Sequence, residues 1–290
     1  MTPFTDTTDP PGTVAAAVER YGFDMLCMGE HPFFPVAMNT PYPAGAQGPP
    51  KWYAHIADLF IVLAMAAQAT STIRLGSTVC LVPERNPIFL AKAVGTLDHF
   101  SGGRFSLGVG TGWVREEYEI LGADFDHRWE VLREYVMAMK EMWTKPEAAF
   151  QGRWTRFPAL RLNPKPVQQP HPPVIICAGE SPAYNRSLRY TVSIGDGWMP
   201  LFYSADKQLD LFAATVRKLA RMCAEAGRDF AQIEVVPAIL AQAEGGADLV
   251  RRLRDAGATS VALMTPGLIR KGRTDDVLGP IADRFVGRID

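Results

Sequence analysis

Residues 73–112 read IRLGSTVCLVPERNPIFLAKAVGTLDHFSGGRFSLGVGTG, and this stretch decides the fold class. Apolar runs predict strands over Ile73–Val79 and Phe105–Val109. The segment between them predicts a helix over Pro87–Phe100, with proline in its first turn. Two strands connected by a helix normally lie parallel in one sheet. The stretch therefore predicts an α/β fold with a parallel sheet.

The same alternation of strand and helix continues on both sides of this stretch. It includes a long helix predicted over Tyr53–Thr70 and a strand predicted over Ile233–Ile239, and the sequence contains seven predicted strands in all. Such a pattern fits either an open doubly wound sheet or a (β/α)8 barrel of about 250 residues. Because no G-x-G-x-x-G motif follows the first strand, we favour a single TIM (β/α)8 barrel domain over residues 1–290.

Two segments depart from this alternation. Residues 144–172 are rich in proline and contain short β-like pieces, which predict an inserted hairpin and a connecting loop. The first twelve residues are polar and turn-forming, and a predicted helix over Thr13–Tyr21 follows them. An eight-stranded barrel needs one strand more than the seven predicted, so we expect a missing or truncated first strand. Residues 1–10 could fill the gap irregularly, a partner chain could cover it, or the natural start could lie upstream of Met1, and we favour the last.

The composition excludes several classes of protein. The chain has 290 residues, a formal net charge of −1, four cysteines and 47% hydrophobic residues. These values argue against a disordered chain, a dedicated nucleic-acid binder and a disulfide scaffold. The longest apolar run, Leu59–Ala67, falls short of the roughly 20 residues that span a bilayer. With no secretion signal at the N-terminus, we expect a cytoplasmic protein with neither nucleic acid nor membrane as a partner.

The loops that follow the strands build the active site in a barrel of this type. At these positions the sequence has an acid–imidazole pair, small residues and two tryptophans: Glu30 and His31, Ser77–Val79, Gly110–Trp113, Gly179–Pro182 and Trp198. Small residues let the backbone approach a flat or phosphorylated ligand, and tryptophans can line an apolar pocket. No motif for a metal site or a nucleophilic triad occurs in the sequence.

Two of these features have competing interpretations. His31 can donate or accept a proton near neutral pH, or it can serve as a structural histidine bonded to loop backbone. The turn Gly179–Pro182 can bind an anion through backbone N–H groups and the Ser181 hydroxyl. The same turn can instead begin a helix, with Ser181 as its N-cap and Pro182 in the first turn.

Four segments in a fixed order carry a resemblance to a known family. They are FDMLCMGEH at 23–31, SGGRFSLGVGTGW at 101–113, PKPVQQPHPPVIICAGESP at 164–182 and GDGW at 195–198. Over about residues 13–200 the chain resembles the luciferase-like monooxygenase family. The loop TPYPAG at 40–45, with PERNP at 83–87, is similar to the subgroup that uses the 5-deazaflavin coenzyme F420.

The resemblance implies a luciferase-like TIM barrel with an insertion after its fourth strand and a flavin or deazaflavin at its C-terminal mouth. His31, assisted by Glu30, would transfer the proton that accompanies the redox step. Thr78 and Val79 would lie behind the cofactor ring, at a position where several members have a non-prolyl cis peptide bond. The other cofactor contacts that the resemblance implies are Gly110, Thr111 and Gly112, and the phosphate-binding turn of Ala178, Gly179, Glu180 and Ser181.

We expect an apolar wall for the substrate at the same mouth. Its candidate residues are Phe33, Phe34, Tyr42, Trp113, Trp198 and Phe202. Core packing is the competing interpretation for the phenylalanines. Trp113 occupies the position after GTG where some deazaflavin-dependent dehydrogenases have a glutamate, which argues against a sugar-phosphate dehydrogenase.

The resemblance implies an oxidoreductase that transfers a hydride between coenzyme F420 and a small organic substrate. One alternative is an FMN-dependent monooxygenase that uses reduced FMN and oxygen, and another is a non-catalytic flavin-binding protein. The resemblance also implies a homodimer, and a separate reductase or dehydrogenase is a possible source of reduced cofactor. The substrate and the direction of hydride transfer stay open at this point.

Overall fold

A curved parallel sheet with helices on its outer side forms the core of the chain. The computed structural model describes residues 2–43, 48–179, 184–202 and 205–287. The strands are β1 (Met25–Met28), β2 (Arg74–Ser77), β3 (Cys80–Leu81), β4 (Phe105–Gly110), β5 (Ala148–Gln151), β6 (Arg156–Leu160), β7 (Val174–Ala178), β8 (Gly197–Phe202), β9 (Glu234–Val235), β10 (Ala238–Leu240) and β11 (Ala262–Met264). The helices are α1 (Pro11–Arg20), α2 (Leu59–Ala69), α3 (Pro87–Phe100), α4 (Arg115–Leu121), α5 (Arg128–Thr144), α6 (Tyr184–Ile194), α7 (Ala205–Glu225), α8 (Gly246–Asp255) and α9 (Thr274–Phe285). Within the described ranges, no helix is both long and apolar enough to cross a membrane.

The main sheet has its strands in the order β1-β2-β4-β7-β8-β10-β11, and each neighbouring pair is parallel. The short strands β3 and β9 pair with β4 and β8 respectively. Strands β5 and β6 form an antiparallel hairpin within residues 144–172, the segment where the sequence predicts one. The predicted α/β class with a parallel, barrel-type sheet is therefore confirmed.

Local capping and proline chemistry explain where the structure departs from the predicted element bounds. The helix predicted from Tyr53 begins at Leu59, because the Asp58 side chain accepts hydrogen bonds from the first free backbone N–H groups of α2. The strand predicted over Ile233–Ile239 is divided into β9 and β10 around Pro237, which has no backbone N–H to donate. Helix α4 was not predicted at all.

Alternating side chains on the strands divide the core into an inner and an outer layer. On β7, Ile175 and Cys177 point into the barrel and pack with inward residues of β8 and β10. Val174 and Ile176 point outward and join the apolar layer beneath the helices. Both faces of the sheet are thus covered, which is typical of parallel sheets.

The outer edges of β1 and β11 line a cavity of about 550 Å³. Its apolar lining includes Val18, Leu26, Val261, Leu278, Ile281 and Phe285. At one end, the backbone N–H of Thr2 donates to the carbonyl of Cys27 at 3.0 Å. Among the described residues, no strand joins β1 to β11. The missing or truncated first strand stays a prediction.

A buried carboxylate attaches the proline-rich loop to the barrel. Asp98 of α3 is fully buried. It accepts hydrogen bonds from the backbone N–H groups of Val167 and Gln168 at 2.8 and 3.1 Å, and from the Gln168 side-chain amide at 2.5 Å. A buried carboxylate without donors is costly, so these three hydrogen bonds attach the loop to α3.

We expect Asp98→Ala to lower the free energy of unfolding by about 1–3 kcal/mol, because three part-buried donors lose their buried acceptor. Urea unfolding followed by circular dichroism measures the change. Glu147→Gln is the matched control, because Glu147 forms an exposed pair with Arg161 and such pairs contribute about 0–1 kcal/mol. Equal losses in the two variants would contradict this role for Asp98.

Candidate active site

The carboxyl ends of β1, β2 and β4 meet at one mouth of the barrel. The backbone N–H of Glu30 donates to the carbonyl of Val79 at 3.3 Å, and that of Thr78 donates to Met28 at 2.6 Å. The Thr78–Val79 peptide bond is cis. A Cβ added to Gly110 would lie 2.7 Å from Val79 Cγ2, so only glycine fits there. The structure therefore brings three predicted site segments together: 30–31, 78–79 and 110–112.

His31 is fixed by a buried glutamate that sequence analysis did not select. Its Nδ1 lies 2.7 Å from Glu117 Oε1, and the two side chains are 9% and 0% exposed. Glu117 belongs to α4, the helix missing from the predicted elements. A signal existed in the sequence: Val114, Tyr118 and Leu121 have helical spacing, and Glu117 borders their apolar face.

Glu30 does not contact His31 as we expected, because its carboxylate is engaged elsewhere. Its Oε1 accepts from the backbone N–H of Leu81 at 2.6 Å, and both of its oxygens accept from Arg85 Nε at 3.1 Å. The Arg85 terminal nitrogen also pairs with Glu30. The acid that contacts the imidazole is thus Glu117, and Glu30 instead joins the end of β1 to the loop after β2.

A third carboxyl group, that of Glu84, lies beside the Glu30–Arg85 pair. Glu84 ends the short 3₁₀ turn Val82–Glu84. Both of its carboxyl oxygens are buried and have no hydrogen-bond partner among the described residues. Burial, followed by the charges of Glu117 and Glu30, raises the pKa of Glu84 to about 9. A carboxyl group with this pKa is protonated at neutral pH.

Aromatic rings surround the imidazole of His31. The centroids of Tyr53, Phe34 and Trp113 lie 5.0, 5.8 and 6.1 Å from that of His31. Tyr42 joins the cluster through an edge contact with Trp113 at 5.4 Å. Two of the expected wall residues, Phe34 and Trp113, therefore lie next to His31, and a third, Tyr42, packs against Trp113.

The other expected wall residues lie elsewhere. Trp198 and Phe202 are buried on the outward face of β8, where Phe212 of α7 contacts both rings. The Trp198 indole donates to the Ser187 hydroxyl at 3.2 Å. The wall prediction is wrong for these two residues, because the alternation along β8 turns them toward the helices. Phe33 is partly buried in the loop after His31.

The loop after β1 is attached to the same helix that supplies Glu117. The Glu116 carboxylate accepts from the backbone N–H groups of Asn39 and Thr40 at 2.6 and 3.1 Å, and from the Thr40 hydroxyl at 2.7 Å. Adjacent residues of α4 therefore contact the imidazole and the loop that follows β1.

The candidate phosphate turn is described in part. Ala178 ends β7, and Gly179 follows it with an exposed backbone. A Cβ added to Gly179 would meet no described atom within 4 Å. Glu180 and Ser181 lie outside the described residues, so their predicted phosphate contacts stay predictions. Thr111 is buried, and its carbonyl accepts a hydrogen bond from the Tyr118 hydroxyl.

Comparisons with a family model and with related sequences point to the same family. The family model for luciferase-like monooxygenases matches residues 9–272. An uncharacterized protein of Mycobacterium tuberculosis (strain ATCC 25618 / H37Rv) is 35% identical over 221 residues, which cover 76% of this chain and 75% of that protein. The pyrimidine monooxygenase RutA of Methylorubrum extorquens (strain PA1) is 30% identical over 232 residues, 77% of this chain and 59% of that protein.

Solved structures share the fold at low sequence identity. Monooxygenase RslO1 from Streptomyces bottropensis has a TM-score of 0.74 at 19% identity and covers 95% of this chain and 91% of its own. An F420-dependent secondary alcohol dehydrogenase, in complex with an F420–acetone adduct, has a TM-score of 0.73 at 16% identity, with coverages of 98% and 96%. The barrel, its mouth and these matches together establish that the chain is an oxidoreductase of the luciferase-like monooxygenase family.

Proposed function

We propose that this protein uses coenzyme F420 to transfer a hydride to or from a small organic substrate. The observation that carries this proposal is the imidazole of His31, held by Glu117 at the barrel mouth with a 2.7 Å contact. Transfer of a hydride to a carbonyl carbon leaves negative charge on the oxygen, so a proton donor must be nearby. The F420-specific part is supported by the likeness of TPYPAG and PERNP to the deazaflavin-using subgroup, and by the F420-dependent dehydrogenase among the structural neighbours.

The residues at the mouth fit a flat ring with a phosphate-bearing tail. Thr78 Oγ1 is buried and has no hydrogen-bond partner among the described residues, so it can bond to a polar ring edge. Gly110 and Gly112 carry no side chain that would block a ring above them. Ala178 and Gly179 would hold the phosphate-bearing tail, since the backbone of Gly179 is exposed.

When bound in reduced form, F420 supplies a hydride to an electrophilic carbon. His31 donates a proton to the substrate oxygen that gains charge, and in the reverse direction it accepts the proton of the alcohol. Because Nδ1 faces Glu117, Nε2 is the nitrogen left to exchange this proton. The neighbouring rings of Phe34, Tyr42 and Trp113 exclude water and favour an apolar substrate.

A second candidate function is an FMN-dependent monooxygenase. RutA, a relative at 30% identity, is named a pyrimidine monooxygenase, and RslO1 is also named a monooxygenase. In this case the same mouth would hold reduced FMN, and oxygen would be the second substrate. For either function we propose a homodimer, with a separate reductase or dehydrogenase supplying reduced cofactor.

We expect His31→Asn to reduce turnover by about 10²–10⁴-fold while cofactor affinity changes little, because asparagine cannot transfer the proton. Steady-state assays with reduced F420 and a panel of carbonyl and alkene substrates measure the loss. His99→Asn serves as control, since His99 is an exposed helix-end residue whose Nδ1 lies 3.2 Å from the Lys165 carbonyl oxygen. Unchanged binding and unchanged turnover in His31→Asn would show that His31 has no catalytic role.

We expect F420 to quench tryptophan fluorescence in a saturable manner, because Trp113 lies beside the proposed site. Titrations with oxidised and reduced F420 and FMN make the comparison. Trp113→Phe should lose much of the quenching, whereas Trp154→Phe, on the distant hairpin turn, should keep it. Tight binding of FMN without binding of F420 would overturn the choice of cofactor and favour the second candidate.

A further inference from the structure

We infer that Tyr118 is a positioning residue that orients the Thr111–Gly112 peptide and so presents the backbone N–H of Gly112 to the bound cofactor. That the ligand is a flavin or deazaflavin rests on the proposed function, but the contact between Tyr118 and the peptide does not. The hydroxyl of Tyr118 donates to the carbonyl oxygen of Thr111. Tyr118 directly follows Glu117 on α4, so adjacent residues contact the imidazole of His31 and the loop after β4.

The phenol of Tyr118 is buried, and its hydroxyl is a donor. The residue is 0% exposed. Burial holds the pKa of this phenol well above its usual range, so the hydroxyl keeps its proton at neutral pH. Phenylalanine would fill the same apolar space, so packing alone does not require the hydroxyl. The hydroxyl matters because the Thr111 carbonyl lies past the end of β4, where the ladder of the sheet no longer supplies donors.

Neighbouring side chains hold the Tyr118 ring in place. The ring of Phe125 contacts it edge-on, with the two centroids 5.2 Å apart. Two guanidinium groups lie over the Phe125 ring in turn, those of Arg115 and Arg128, at 4.4 and 3.8 Å from its centroid. Each of these cation–π contacts is attractive. The ring that packs on Tyr118 is therefore itself held, and the hydroxyl has a fixed place beside the loop after β4.

Peptide geometry links the Thr111 carbonyl to the N–H of the next residue. The Thr111–Gly112 bond is trans, and a trans peptide unit is planar, with its C=O and N–H pointing in opposite directions. Because the carbonyl is directed at Tyr118 on α4, the N–H of Gly112 is directed away from α4. This N–H has no hydrogen-bond partner within the described ranges, so it can donate to a ligand.

The conformation of Gly112 preserves this orientation. Its φ is +63°, in the left-handed region that favours glycine. A Cβ at this position would lie 3.3 Å from both the Leu81 side chain and Glu84 Oε1, so a larger residue would displace the loop. Two residues earlier, Gly110 packs against Val79 at the barrel mouth. The N–H of Gly112 thus belongs to the loop on which the cofactor is proposed to lie.

A backbone N–H at this place suits the ligand class of the proposed function. The rings of F420 and FMN carry carbonyl oxygens on one edge, and such oxygens accept hydrogen bonds. A donor that the fold has already oriented binds this acceptor without the entropic cost of ordering it. Tyr118 acts through the peptide and needs no contact of its own with the cofactor.

The sequence supplies a specific probe for this peptide. Thr111–Gly112 is the only threonine–glycine pair in the 290 residues. Labelling threonine with ¹³C at the carbonyl and glycine with ¹⁵N in the full chain therefore gives one NMR cross-peak, which reports both ends of the peptide. In the protein without cofactor, Tyr118→Phe should move the Thr111 carbonyl resonance, because it removes the donor. Tyr135→Phe, a change at a partly buried tyrosine of α5, should leave the resonance in place.

Titration with oxidised F420, and separately with FMN, tests the donor. In the wild type the Gly112 amide proton should move downfield as cofactor is added and stop moving at saturation. Tyr118→Phe should weaken cofactor binding by about 3–10-fold, the range expected for one hydrogen bond. Tyr135→Phe should bind the cofactor as the wild type does.

A Gly112 amide that does not move at saturating cofactor would overturn the inference, and this wild-type measurement stays decisive if Tyr118→Phe does not fold. An unmoved Thr111 carbonyl resonance in Tyr118→Phe, or equal cofactor affinities of that variant and the wild type, would overturn it as well. Loss of turnover in every F420 assay would sink the proposed function instead, whereas movement of the Gly112 amide by FMN alone would still support this inference. The two proposals can therefore fail separately.

Discussion

The ion pair between the buried carboxylate of Glu30 and the partly exposed Arg85 is the interaction on which the candidate site depends. Glu30 ends the segment after β1, and Arg85 lies in the loop that follows β2 and β3. The Glu30 carboxylate also accepts a hydrogen bond from the backbone N–H of Leu81, so three donors converge on one carboxylate. The residues next to it in sequence are His31 on one side and Glu84 on the other. Joining Glu30 to Arg85 therefore also places the imidazole of His31 and the carboxyl of Glu84 at the same mouth.

Carboxylates also accept hydrogen bonds from loop backbone elsewhere in the barrel. Glu19 accepts from the backbone N–H groups of Ser71, Thr72 and Ile73, and the hydrogen bonds from Thr72 and Ile73 lower the pKa of Glu19 to about 2. Glu134 of α5 similarly accepts from three backbone N–H groups in the turn of the β5–β6 hairpin. Each side chain satisfies several loop donors that no secondary structure would pair. Acidic residues on helices thus hold the connections that shape the molecule.

Much of the fold is predictable from the sequence because its signals are local. Buried strands such as β7 are short apolar runs, and Asn86 with Pro87 marks the start of α3 by its capping chemistry. The pairing of His31 with Glu117 was not predictable in the same way. His31 and Glu117 are 86 positions apart, and no local rule pairs an imidazole with a glutamate at that separation. Either Glu30 or Glu117 could contact His31. Glu117 does so because Arg85 engages Glu30.

Side-chain direction is a second limit on sequence interpretation. Trp198 and Phe202 follow the period of β8, and one residue's shift in register separates an inward ring from an outward one. The sequence marks this strand as apolar throughout, so it contains no polar residue to mark which face is outside. Phe34, Tyr42 and Trp113 belong to loops at the mouth, where strand alternation does not apply, and their role as a substrate wall stays a prediction.

Helix α4 is a short helix of seven residues with two attachments to the site. Glu116 accepts hydrogen bonds from the loop after β1, and Glu117 contacts the imidazole of His31. The two carboxylates belong to consecutive residues, so a small rotation of α4 would displace both contacts together. If His31 transfers a proton as proposed, the position of that loop and the orientation of the imidazole would therefore change together.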